Sequence, residues 1–128
     1  MNKVITLLAA VLVSASVLAG EFPNVGVKEV QKLSNSGKAV IIDVNGSESY
    51  VKGHVPGALN YDSIKDKLAS VLPEDKNTPI VAYCGGPKCN AYQEAAKAAE
   101  KLGYKNVKHM SAGISGWKEA GLKTEKKS

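Results

Sequence analysis

The sequence predicts an α/β domain: a parallel sheet of about five strands, flanked by helices on both faces. Three observations carry that reading. Residues 39–44 form a short, continuous apolar run rich in β-branched side chains and 79–83 a second such buried segment, the pattern of strands buried on both faces in a parallel sheet, and 107–110 read as a third short strand. Segments with helical spacing lie between them, and alternation at this density implies right-handed crossovers with helices covering both sides of the sheet. A glycine-rich loop separates the second of these strands from an alanine-rich helix, and ligands on such folds bind beyond the carboxyl ends of the strands.

The 128 residues, 44% hydrophobic and 23% charged, suit one compact domain. All 17 basic residues are lysine, so the formal net charge of +5 arises without a single arginine. Lysine offers a point charge where arginine offers a planar fork for phosphate, carboxylate or guanine. The lysines are also scattered among the 12 acids, so no nucleic-acid partner is expected. Two cysteines, Cys84 and Cys89, are too few for a disulfide framework. His54 and His109 are not at metal-ligand spacing, and neither a metal site nor a cofactor is expected.

Residues 1–19 read as a secretory signal peptide: Lys3 is their only charge, an apolar run covers 4–18, and Val17 and Ala19 are small residues before the cleavage point. The run is interrupted by Thr6, Ser14 and Ser16 and falls short of the ~20 residues that span a bilayer. Glu21 stands where a lipoprotein signal needs its cysteine. The expectation is therefore a cleaved, exported domain over 20–122, periplasmic and without stable membrane association. The lysine-rich end, 123–128, reads as a flexible basic tail.

Along that domain, Val27, Val30 and Leu33 recur at helical spacing, and Ser34 to Gly37 stop the helix. After the strand over 39–44, Asn45-Gly46 breaks the chain, Ser47 opens a short helix ending near Gly53, and 54–58 form a turn. Ile64, Leu68, Val71 and Leu72 predict a helix over 63–72, with Ser63 as N-cap and Pro73 as terminator. The strand over 79–83 runs into Cys84-Gly85-Gly86-Pro87-Lys88-Cys89. A helix over 90–102 follows, capped by Asn90 with Gln93 three residues on. After the strand over 107–110 comes a last helix, 114–120, with Trp117 in the core.

A cysteine between a buried strand and a helix start meets the positive end of the helix dipole and unpaired amides. Gly85 and Gly86 let the chain curl around the sulfur as an anion-binding nest, and Lys88 adds positive charge. The Cys84 thiol is thus expected below the ~8.5 of a free cysteine, as a reactive nucleophile and not an inert packing residue.

With these residues in place, the chain resembles a rhodanese-like domain over nearly its whole length beyond the signal. The resemblance rests on Ile42-Asp43-Val44, on Gly53-His54-Val55-Pro56-Gly57-Ala58, on Tyr83-Cys84 opening a loop, and on Ala112-Gly113-Ile114-Ser115-Gly116-Trp117. It implies sulfane-sulfur transfer: Cys84 takes sulfur from thiosulfate, polysulfide or another persulfide and passes it to a thiol or cyanide. Partners would be a small sulfur-containing anion, a thiol acceptor and a redox protein. Gly85, Gly86, Pro87, Lys88, Cys89 and Asn90 would line the site, with Lys88 attracting the donor. Asp43 would bond loop backbone, His54 would serve the turn, and Met110 and Ser111 would lie beside the pocket.

Two positions where many members of that family carry arginine hold Asn45 and Cys89 here, which makes polysulfide relatively more plausible than thiosulfate as donor. The related cell-cycle phosphatases use a loop one residue longer that ends in arginine. Asn90 stands at that offset, which argues against phosphatase chemistry. Cys89 reads either as a resolving thiol or as a small helix-start residue. The second reading is preferred, because a six-residue loop is not expected to bring the two Cα atoms within the ~7 Å a disulfide needs. The alternative to catalysis is a binding or sulfur-sensing module. Thiol-disulfide exchange is disfavoured by spacing unlike C-x-x-C.

Overall fold

The computed structural model describes residues 22–127. The signal peptide expected over 1–19 lies outside these residues. Four parallel strands form one sheet in the order β2-β1-β3-β4: β1 (Val40–Asp43), β2 (Leu59–Asn60), β3 (Ile80–Tyr83) and β4 (Val107–His109). A fifth position exists only as a single parallel bridge between Asn24 and His109. The His109 amide donates to the Pro23 carbonyl at 2.9 Å and the Val25 amide to the His109 carbonyl at 2.8 Å. Pro23 itself has no N–H to extend the ladder, and α1 begins at Val27. The five-strand expectation is thus corrected to four strands and a bridge.

Alternation along the strands divides the core between the two faces. Ile42, Ile80 and Ala82 point to the face covered by α3 (Tyr61–Ile64), a short 3-10 turn, α4 (Leu68–Val71) and α5 (Tyr92–Lys101). Ala95, Ala96 and Ala99, all fully buried, let α5 lie close against that face. Ile41, Val81 and Tyr83 point to the other face, where Val30 of α1 (Val27–Ser36), Val55, Met110 and Trp117 of α6 (Gly113–Glu119) complete the packing. The short α2 (Ser47–Lys52) follows β1.

Three boundaries depart from the sequence reading. The helix over 63–72 is broken into α3, a 3-10 turn and α4, and it starts earlier: the Asn60 side chain accepts the Asp62 amide at 3.2 Å, so Asn60 and not Ser63 is the cap. Helix α5 begins at Tyr92, with no side-chain cap from Asn90. The lysine-rich end is paired over 123–127 instead of projecting free. His54 and Glu125 exchange backbone hydrogen bonds of 2.9 and 2.8 Å, Lys127 donates to the Val51 carbonyl, and the Trp117 indole donates to the Lys123 carbonyl. Backbone pairing is indifferent to side-chain charge, so a basic composition did not reveal it.

Two contacts fix the carboxyl end of the sheet. The buried Asp43 carboxylate accepts the Asn45 amide at 2.8 Å and the Tyr83 hydroxyl at 2.6 Å, and that hydroxyl accepts the Val55 amide at 2.9 Å. Burial pushes the Asp43 carboxyl above its usual range, and the bonds from Tyr83 and Asn45 offset part of the rise. At Gly113 (φ +65°) the helix N-terminus lies against the loop backbone: a Cβ there would stand 2.5 Å from the Gly85 carbonyl carbon and 2.6 Å from the Cys84 oxygen.

Tyr83→Phe leaves a buried carboxylate oxygen and the Val55 amide unpaired, and lowers stability by about 3 kcal/mol. Because the folded pKa of Asp43 lies above 3.8, ionisation favours the unfolded chain, so stability from this group is lost as pH rises through the folded value. Removing the Tyr83 donor raises that value further. Urea unfolding is expected to show a larger loss at about pH 7 than at about pH 3; an equal loss at both would mean Tyr83 does not support the charge. Gly113→Ala combines a positive φ with a backbone clash, and is expected to lower stability by about 2–4 kcal/mol. An unchanged urea midpoint would contradict that.

Candidate functional site

The loop beyond β3 opens at Cys84, which is 3% exposed beneath its own backbone. The first turn of α6 holds it: the Ile114 amide donates to the Cys84 carbonyl at 2.9 Å and the Ser115 amide to the Gly85 carbonyl at 3.0 Å. In a trans peptide the N–H points opposite to the C=O, and there is no cis bond among the described residues. The amides of Gly85 and Gly86 therefore point away from α6. They and the Lys88 amide donate to no acceptor among the described residues, so the loop that opens at Cys84 carries three unpaired backbone donors.

Cys84 and Cys89 are joined by a disulfide, with Cα atoms 6.3 Å apart. The expectation that Cys89 is only a small helix-start residue is corrected by this. The Cys89 amide donates to the Gly86 carbonyl at 3.0 Å, and that turn folds the loop back and brings the two Cα atoms within bridging distance. The same closure keeps Asn90 in the loop and delays α5. In this state neither sulfur titrates, so the expectation of an ionised Cys84 thiol applies only to the reduced protein.

A pocket of about 600 Å³ is lined by Gly85, Gly86, Pro87, Lys88, Cys89 and Ser115. Five of the expected loop residues thus meet there. Asn90 is not among the lining residues, because the chain has turned to solvent at that point. Met110 is 1% exposed in the core, and Ser111 uses its amide on the Asn24 side chain, so neither reaches the pocket. Ser115 was not singled out from the sequence. Its hydroxyl would stand 3.1 Å from a Cβ at Gly86; the signal was its place one turn into the helix that follows β4.

Asp43 and His54 lie behind the loop as supports. Asp43 bonds the Asn45 amide of the turn after β1 and the Tyr83 hydroxyl, and not the backbone of the Cys84 loop as expected. His54 stacks on Tyr50 with ring centroids 3.7 Å apart, shares a 2.8 Å hydrogen bond with the Tyr50 carbonyl through Nδ1, and sets Nε2 3.6 Å from the Glu125 carboxylate. A second cleft of about 290 Å³ adjoins the first through Gly85 and contains Asn45, Ser49, Lys52 and Lys118. Asn45 therefore faces a lysine-bordered cleft on the far side of the loop from Lys88.

The rhodanese-like domain model matches residues 26–120. The chain is 35% identical over 96 residues to the HTH-type transcriptional regulator Rv0324 of Mycobacterium tuberculosis, covering 73% of this chain and 41% of the regulator. It thus spans about two fifths of that relative's length. It is 32% identical over 117 residues to the uncharacterized protein YibN of Escherichia coli, covering 88% of this chain and 80% of YibN. Among solved structures, the human single-domain sulfurtransferase TSTD1 superposes with a TM-score of 0.60 at 25% identity, covering 77% of this chain and 97% of the human one. With that family model covering most of its length, the chain belongs to the rhodanese-like domain family.

Proposed function

We propose that the protein is an exported, periplasmic sulfurtransferase that carries sulfane sulfur as a persulfide on Cys84, from thiosulfate, polysulfide or another persulfide to a thiol or cyanide. The observation that carries the reading is the set of unpaired amides of Gly85, Gly86 and Lys88 in the loop that opens at Cys84. The similarity to the human single-domain sulfurtransferase supports it.

Catalysis begins with reduction of the Cys84–Cys89 bond. The Cys84 thiolate then attacks the outer sulfur of the donor and releases sulfite from thiosulfate, or a shorter chain from polysulfide. The resulting persulfide is an anion, and the loop amides stabilise it as an oxyanion hole stabilises oxygen. An acceptor thiol or cyanide takes the outer sulfur and regenerates the thiolate. Asp43 and His54 move no proton in this cycle. Thiosulfate presents a sulfonate that only Lys88 and amides can hold, whereas polysulfide needs less grip, so polysulfide is the favoured donor.

Reduced protein given polysulfide or thiosulfate and then excess cyanide is expected to form thiocyanate. The disulfide form forms none until a reductant is added, and Cys84→Ala none at all. Normal turnover by Cys84→Ala would sink the mechanism. Lys88 is solvent-exposed, so Lys88→Gln is expected to lower kcat/KM for thiosulfate by only about threefold, with the difference vanishing at high salt. A loss that persists unchanged in high salt would assign Lys88 a role other than long-range attraction.

A further inference from the structure

In a persulfide on Cys84 the two sulfurs are chemically distinct targets. Attack on the outer sulfur passes it on, whereas attack on the inner Sγ expels it as hydrosulfide. With the Cys84–Cys89 bond closed, Cys84 is 3% exposed, which leaves an external thiol little access to its Sγ in that geometry. One nucleophile does reach that Sγ, because the structure holds Cys84 and Cys89 bonded to each other. Cys89 is half-buried and belongs to the pocket wall, and the turn from Gly86 to Cys89 sets its distance. The Cα separation of 6.3 Å lies within the ordinary range for a disulfide.

We propose that Cys89 is a resolving thiol, and that the protein has a second activity, the reductive release of sulfane sulfur as hydrosulfide. The proposal rests on the reading of Cys84 as the sulfur carrier. The Cys89 thiolate attacks Cys84 Sγ; the Cys84–Cys89 bond forms and the bond to the outer sulfur breaks. The outer sulfur leaves with the electron pair and takes the proton given up by the Cys89 thiol, so that persulfide anion plus thiol become disulfide plus hydrosulfide. The sulfane sulfur gains two electrons and the two cysteine sulfurs lose them. A dithiol reductant then opens the disulfide by exchange and restores both thiols. The protein thereby divides incoming sulfur between transfer, when an acceptor arrives first, and release, when Cys89 acts first.

The test is a single turnover without external thiol. Reduced protein, freed of reductant, is mixed with polysulfide made from heavy sulfur. Labelled hydrosulfide is trapped as it forms, and the protein is alkylated and weighed intact. Cys84→Ala supplies the blank for sulfide coming from the polysulfide itself. Wild type is expected to release one hydrosulfide per chain above the blank and to end as the disulfide. Cys89→Ser, with Cys89→Ala as a second variant, is expected to remain one sulfur atom heavier. Its release per loaded chain should fall by about a hundredfold, the advantage lost when an intramolecular attack is replaced by attack from solution. Three outcomes overturn the proposal alone: release by both Cys89 variants at the wild-type rate, a wild-type persulfide that persists, or label mapped to Cys89. Failure of every variant to gain sulfur overturns the carrier reading as well.

Discussion

Where the first turn of α6 meets the Cys84 loop, the amides of Ile114 and Ser115 donate to the carbonyls of Cys84 and Gly85, and Gly113 leaves no room for a side chain between the two backbones. Peptide planarity carries the consequence to the other side of the loop. With those carbonyls held by the helix, the attached amides of Gly85 and Gly86 must face away from it, unpaired. The anion-binding character of the loop is therefore imposed from outside, by a segment some 30 residues further along the chain. This explains why the Gly113 region and the Cys84 loop act as one structural unit although neither shows it alone.

The second support works through burial. Asp43 ends β1 inside the core, where an unpaired carboxylate would be costly. Its bonds to the Tyr83 hydroxyl and the Asn45 amide, and the Val55 amide on that same hydroxyl, tie β1, β3 and the 54–58 turn at the level where the loop departs. The turn gains further bonds: Tyr50 donates to the Ala58 carbonyl, and the backbone around His54 pairs with Glu125. The polar groups of Gly53-His54-Val55-Pro56-Gly57-Ala58 are taken up by Ser34, Tyr50, Tyr83 and Glu125 around it. The turn braces the wall from which the reactive loop projects.

What the sequence made legible follows the range of the interactions involved. Buried strands reveal themselves through local composition, and β1, β3 and β4 lie within one residue of their expected limits. Cys84 was legible because its strand, glycines and helix are neighbours in the chain. Cys89 was misread because the distance between two Cα atoms across a loop depends on one backbone hydrogen bond, from Cys89 to Gly86; Pro87 at the second position of that turn was the local signal for it. Asn60 took the capping role from Ser63 because β2 delivers the chain into α3 immediately, and pairing with Ile42 and Asp43 is a long-range contact. Ser115 and the pairing of 123–127 were hidden for the same reason: each depends on a partner far away in sequence.

The absence of arginine acquires a physical meaning in this setting. The position where the resemblance leads one to expect a guanidinium in the loop holds Cys89. A guanidinium there would grip a sulfonate through two parallel hydrogen bonds. A thiol grips nothing comparable, but it forms a bond to Cys84 Sγ that no cation can form. The substitution exchanges recognition of the donor for control of the carried sulfur. The other such position, Asn45, belongs to the neighbouring cleft with Lys52 and Lys118, where positive charge comes from flexible chains instead of a fixed fork. Both changes remove a fixed fork for one rigid oxyanion and leave the unpaired amides of the Cys84 loop in place. On the proposed reading, that combination favours a protein defined by what it does with sulfane sulfur over one defined by the molecule that delivers it.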